Sequence, residues 1–308
     1  MAFAISTNYK LAVNDEAVWG TPVTTGAKFV RLVSGNAKPE LAFTQSNEIN
    51  PTHRQTADSV MTSAKGSGSL EGELSYNSHE MFMQSLFGAT FSGAGTRTLK
   101  VGTSLRSLTI QEQYSDLTNI YHLYTGAIVN SMSLNVQVGQ IVTCSYGFVS
   151  KKPSIAAATG VGTPAATNTN PVINPLADVR VLQEGSPLAS ITGVQSLGLN
   201  VQNDVTEIMT LGTVDPAALI PARFKVTGTI AVFKQDAAII TKLLAGTASK
   251  LNIKLGGAAN LSYEFTLPNV KYTSYDGGAS QSNAIVERFG FEGHYDATDS
   301  AFKIVGVD

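Results

Sequence analysis

The sequence predicts a mainly β protein: two tandem β-sandwich domains, each with one short flanking α-helix. Three observations carry this. Stretches that alternate apolar with polar residues far outnumber stretches with helical spacing. A strand, helix and glycine stop occur twice in the same order. Between the two occurrences lies a segment of small and polar residues with almost no large apolar side chain.

The repeated unit is legible residue by residue. Leu70, Gly72, Leu74 and Tyr76 take every second position, as a strand with one covered face requires. Asn77 then stands three residues before Glu80, the spacing of a reciprocal capping box. Met81, Phe82 and Leu86 share one helical face, and Gly88 stands where a left-handed stop is wanted. Later, Val226, Gly228, Ile230 and Val232 alternate, and Asp236 is the expected cap. Ile239, Ile240, Leu243 and Leu244 form the stripe, and Gly246 ends it. A slide of roughly 158 residues brings the two units into phase. It also sets Glu48 and Ile49 near Glu207 and Ile208. Residues 141–148 fall beside 285–291, where one residue fewer in the second stretch predicts a β-bulge as the difference.

In chain order, residues 1–151 form the first expected domain, with an N-terminal arm that contains the one tryptophan, Trp19, before a Gly20-to-Pro22 turn. Strands are expected at 29–33 and 41–44. Residues 50–65 are long, polar and irregular. A loop of this length in a compact β domain is usually functional or ordered by a partner, so Asn50, Thr52, His53, Arg54, Gln55 and Asp58 are the candidate contact residues. A glycine-rich turn covers 91–96 and strands follow at 105–110 and 119–125. Met132, Leu134, Val136 and Val138 alternate with Ser133, Asn135 and Gln137, the clearest strand in the chain. It turns at Gly139 into 141–149 as an antiparallel hairpin. Residues 152–175 read as a linker. Residues 176–308 form the second domain, with strands at 179–182, 198–201, 251–255, 261–273 and 284–294 and a long segment at 206–222.

Composition narrows the function. The chain has 308 residues, 43% of them hydrophobic, so each half can bury a core. Only 14% are charged, against about 25% in ordinary soluble domains. A surface of Ser, Thr, Asn, Gln and Gly leans towards contact with other protein. The net charge is −2, so a gripping nucleic-acid binder is not expected. No apolar run approaches the roughly 20 residues of a membrane span. The first ten residues lack a basic region followed by an apolar core, so no signal peptide is expected and folding belongs in a cytoplasm.

No catalytic, cofactor-binding or metal-binding set is legible. His53, His79, His122 and His294 have no second histidine at helical or hairpin spacing. Cys144, the one cysteine, alternates within a strand and reads as a small packed side chain rather than a nucleophile. Gly66 and Gly68, like Gly160 and Gly162, are pairs without a third glycine. Glu71 and Glu73 share a strand face, which a solvated surface explains better than acid–base work. A β-sandwich glycosidase would need two carboxylates across a cleft, which nothing here predicts.

The residues carry a resemblance. Glu16, Trp19, Gly20, Thr21 and Pro22 resemble the opening of phage tail tube proteins from long, non-contractile tails. So do Glu48 and Ile49 with the Arg54 loop, and residues 65–83. Tyr124, Gly126, Asn130, Ser131 and Leu134, running into Gly139, Ile141, Val142, Tyr146 and Phe148, resemble the same family, as do residues 267–271 and 285–291. The resemblance implies two tail-tube-like β-sandwich domains, no enzyme activity and no cofactor. It implies a structural virion protein of the tail, assembled in the host cytoplasm into stacked rings that form the channel for genome ejection. Implied partners are further copies of the chain, the tape measure protein, other tail proteins, and double-stranded DNA in non-specific transit. With two domains per chain, a homotrimeric ring of pseudo-sixfold symmetry is expected; a hexamer with the second half as an outward decoration is the competing geometry. A head decoration or baseplate protein is the competing function.

Overall fold

A computed structural model describes residues 3–49, 51–52, 55–117, 120–174, 179–185, 189–256, 261–278 and 284–307. The first half comprises β1 (Tyr9–Asp15), β2 (Lys28–Phe29), β3 (Ser34–Gln45), β4 (Ser59–Glu73), α1 (Glu80–Phe87), β5 (Thr96–Lys100), β6 (Leu108–Tyr114), β7 (Tyr121–Gln137), β8 (Thr143–Ser150) and β9 (Ser154–Ala156). The second comprises β10 (Val179–Glu184), β11 (Ala189–Ser190), β12 (Val194–Ile208), β13 (Ala218–Phe233), α2 (Ala238–Ala245), β14 (Ser249–Leu255), β15 (Ser262–Gly277), β16 (Val286–Gly293) and β17 (Lys303–Val307). The fold is mainly β with two short helices, as the alternation predicts, and every strand pairing is antiparallel.

Two layers enclose the core. One is a continuous sheet of eight strands in the order β3, β4, β8, β7, β12, β13, β16, β15. Opposite it stand β2, β1, β6, β7 and β9 in the first half, and β11, β10, β14, β15 and β17 in the second, extended by β5 of the first. Strands β7 and β15 belong to both layers. Residues 121–127 of β7 pair with β6, whereas 128–135 pair with β8. The bend falls at Gly126, whose φ is +62°, a value glycine adopts without the steric cost a Cβ would bring. Trp19 Nε1 donates to the Gly126 carbonyl at 3.2 Å, and the Gly126 N–H donates to Glu16 Oε1 at 2.8 Å. Glu16 also accepts from Gly20 N, Ser107 Oγ and Thr109 Oγ1, each at 2.7 Å. Glu16, Trp19 and Gly20 thus form one structural lock with Gly126, Ser107 and Thr109.

The pairing scheme of the first half recurs in the second. The β3–β4, β4–β8, β7–β8, β6–β7, β1–β6, β1–β2 and β7–β9 pairs have counterparts in β12–β13, β13–β16, β15–β16, β14–β15, β10–β14, β10–β11 and β15–β17. Local marks fix the correspondence. Gly68 lies under Phe148 and Gly228 under Phe291, where a Cβ would come within 2.4 and 2.3 Å of the ring. Gly147 faces Ser131 and Gly290 faces Ser274. A bulge lies in β7 between Val129 and Ser131 and another in β15 between Tyr272 and Ser274, whereas β8 and β16 run against β4 and β13 without a shift, so no bulge distinguishes residues 141–148 from 285–291. Gly68 therefore answers to Gly228, two residues away from the match that the slide implied. The end of β3 shifts likewise: Gln45 and Ser46, not Glu48 and Ile49, answer to Glu207 and Ile208, since Gln45 faces Ser59 as Glu207 faces Leu219.

Both helices end as expected, with Gly88 and Gly246 left-handed at φ 62° and 61°. Their starts differ from expectation. Helix α1 is capped by His79 without a side-chain bond, and Asn77 sits in a turn at φ 61°. Asp236 Oδ1 accepts from the Ala238 N–H at 2.9 Å, just ahead of the Ala237 cap. Glu80 instead makes a two-pronged ion pair with Arg97 at 2.7 and 2.8 Å. Tyr263 of β15 donates to Glu80 at 3.0 Å, and Arg97 donates to the Tyr76 hydroxyl at 2.7 Å. This cluster ties α1 to the second half beside the β5–β17 pair. The stretch read as a linker is laid along the first half. Val161 is fully buried, Ile173 bridges Leu74 and Val142 through backbone bonds of 2.9 and 3.2 Å, and Asn168 and Asn170 both donate to the Tyr76 carbonyl.

Replacing Arg97 with Met leaves the Glu80 carboxylate buried without its counter-charge. The expected loss is about 3–5 kcal/mol of folding stability, measured by chemical denaturation, with part of it recovered when Glu80→Gln is added.

Candidate assembly interface

Alternation along a strand sends neighbouring side chains to opposite faces. On the eight-stranded sheet one face meets the core through Leu70, Cys144, Leu134, Leu199, Ile230 and Phe289, all buried. The other face carries Ser67 and Ser69 of β4, Thr143 and Ser145 of β8, Ser133, Asn135 and Gln137 of β7, Asn200 and Gln202 of β12, and Thr227 and Thr229 of β13. None of these is buried. Its charged residues include Lys38, Lys65, Lys225, Lys271 and Arg288 of one sign and Glu40, Glu71, Glu73, Asp204, Asp276 and Glu292 of the other. The face is hydroxyl- and amide-rich, with charges of both signs interspersed.

Among the described residues the sheet is open at both ends. Strand β3 has no buried residue along its length, and residues 273–277 of β15 are all exposed. Unpaired strand edges present free N–H and C=O groups and template pairing. The counterparts of these edges, β12 and β7, are paired with each other inside the chain, Leu199 opposite Leu134 and Asn200 opposite Ser133. Sequence reading did not single out either edge. Lys38 and Pro39 were the available signals, because charge and proline are how natural sheets blunt an edge.

The expected loop is shorter than the sequence suggested, because β4 already begins at Ser59. Thr52, Gln55 and Asp58 are exposed on it, and Asp58 accepts from the Ser46 N–H at 2.9 Å through its carbonyl. Asn50, His53 and Arg54 lie outside the described residues. The corresponding loop, 209–217, rests on the first half: the Ala64 N–H donates to Val214 O at 2.8 Å, and Lys65 Nζ reaches Glu207 Oε1 at 2.6 Å. Of the long segment at 206–222, residues up to 208 belong to β12 and 218–222 to β13. Apolar side chains stand out on both arms. Phe43, Ile49 and Val60 are exposed on one, and Met209, Leu211 and Ile220 on the other, with Ile49 and Leu211 at 97% and 103%.

His79 and Cys144 meet in the core, Nδ1 to Sγ at 3.0 Å, and His79 Nε2 lies 3.0 Å from the Arg31 carbonyl. A carbonyl only accepts, so Nε2 carries the proton and Nδ1 takes the thiol's. Burial pushes the Cys144 thiol up to about 12, and burial holds His79 below its ordinary value. A neutral imidazole and an un-ionised thiol in a dry site form a packing pair, not a nucleophile and base. Among the described residues no group of His, Cys, Asp and Glu could hold a metal.

The fold is that of a mainly β protein whose main sheet has one polar face and, among the described residues, two unpaired edges. The family model described as phage tail tube protein matches residues 7–293, and the chain belongs to that family. Its role is structural and its place is the virion tail. Comparison with curated proteins finds no match.

Because the folded pKa of His79 is depressed, its neutral form stabilises the protein fully above the unfolded value of 6.5. That contribution is lost as pH falls below this value, where the unfolded chain alone takes the proton. Denaturant midpoints should therefore drop between about pH 7.5 and 5.5, and less steeply for His79→Gln.

Proposed function

We propose that the chain polymerises through its open sheet edges into rings, that the rings stack into the tail tube, and that the polar sheet face lines the bore through which the genome leaves. The observation that carries this is the eight-stranded sheet, uncovered on one face and unpaired at both ends. Closing such a sheet on itself through further copies removes its edges. DNA held by many cationic contacts binds tightly, whereas a bore with charges of both signs interspersed lets it slide. The same bore holds the tape measure protein beforehand, and other tail proteins meet the tube at its ends. Assembly takes place in the host cytoplasm.

The two halves act as two copies of one ring unit, so three chains complete a pseudo-sixfold ring. The observation favouring three over six is that the second half lends β12, β13, β16 and β15 to the same sheet as the first. An outward decoration would contribute none. Loop 46–58 and the tip of 209–217 reach the adjacent ring, since Ile49 and Leu211 stand uncovered there.

Mass measurement and class averages of purified tubes should give three chains per ring; six full chains per ring would overturn the geometry. Deleting residues 52–58 should leave rings intact and stop their stacking, read as loss of tubes by negative-stain microscopy. Tubes of unchanged length would exclude a stacking role for this loop.

A further inference from the structure

Resting on the tube reading, we propose that neighbouring chains join β3 of one copy to the C-terminal half of β15 of the next, in the register already present between β12 and β7. The internal joint is the template. It sets Leu199 opposite Leu134, Asn200 opposite Ser133 and Val201 opposite Met132. The paired glycines and bulges carry each residue to its counterpart in the other half. Gly35 faces Leu70 as Leu197 faces Ile230, which places Lys38 at the Asn200 position. Ser274 stands at the Ser131 position, which places Asp276 at that of Ser133. The joint between chains then sets Ala37 opposite Gly277, Lys38 opposite Asp276 and Pro39 opposite Tyr275.

Three features of these edges fit that register. Lys38 and Asp276 bring opposite charges together on the polar face, a favourable cross-strand pair. Tyr275 is 39% exposed and gains Pro39 as cover on the other face. Pro39 is also placed where its missing N–H does least harm. In the internal joint the Val138 N–H donates to Gln195 O at 3.1 Å, so alternate pairs from there, including Val201 with Met132, are the hydrogen-bonded ones. Pro39 occupies the Val201 position, so its nitrogen faces away from β4. It removes one bond from the new joint and none from the existing hairpin.

By the same alternation Lys38 and Asp276 form a non-hydrogen-bonded pair with Cα atoms about 4.5 Å apart, within reach of a disulfide. The joint also lacks the clamps of the internal one. The stretch between α2 and β14 has no counterpart of β5, and Ala238 stands where α1 carries Glu80.

The test uses the full chain, in which the one native cysteine is buried. Lys38→Cys combined with Asp276→Cys should, on mild oxidation of assembled tubes, give linked chains that end at three on a non-reducing gel. Asn200→Cys with Ser133→Cys should close within a single chain and reports that the fold and the oxidation are sound. Lys38→Cys with Ser274→Cys, two residues out of register, should link about tenfold less. Stronger linkage by this shifted pair, or intact tubes with no linkage by either pair, overturns the register and leaves the tube reading standing. If the unsubstituted chain forms no tubes and neither pair links chains, the tube reading fails and the register with it.

Discussion

The structure depends on a single strand serving two layers. β7 is 17 residues long. Its first part closes the outer layer of the first half, and its second part takes β8 on one side and β12 on the other. Without the turn at Gly126 it could not do both, and Gly126 is held by Glu16 and Trp19 through their bonds to its N–H and carbonyl. Removing this bend would separate the layers and withdraw the edge on which β12 is built. Backbone groups at a sheet edge must find partners when covered, so the β7–β12 pairing also decides how the halves sit against each other.

That internal joint is reinforced well beyond its ladder. The Tyr263 hydroxyl crosses from the second half to Glu80, which Arg97 holds in place within the first, and the β5–β17 pair crosses beside it. Buried ion pairs add little net stability over apolar packing, but they penalise misplacement heavily. Such a cluster holds the two halves at one angle.

Much of this was legible in the residues. Alternation found β4, the second half of β7 and β13, because each has one buried and one uncovered face. It found only 41–44 of β3, since a strand with no buried face has no apolar period to read. It set the repeat two residues out along the β4 strand while matching the glycine stops, for a physical reason: strand side chains repeat every two residues, so a slip of two leaves the pattern unchanged. The capping box failed because Arg97, seventeen residues further on, claimed the Glu80 carboxylate. The candidate loop was visible as a long polar run, but the open edges were not, because an edge is defined by the strand that is absent beside it.

The sequence by itself determined the mainly β character, the two helices with their glycine stops and the recurrence of the unit. These are properties of local pattern and composition, which a chain displays before it folds. Only the tertiary structure decided that the halves share one sheet, that residues 152–174 are packed rather than free, and which strands end that sheet. Each of these is a choice among partners distant in the chain, and backbone hydrogen bonds are the same for every sequence, so no local pattern records which strand a given edge will meet.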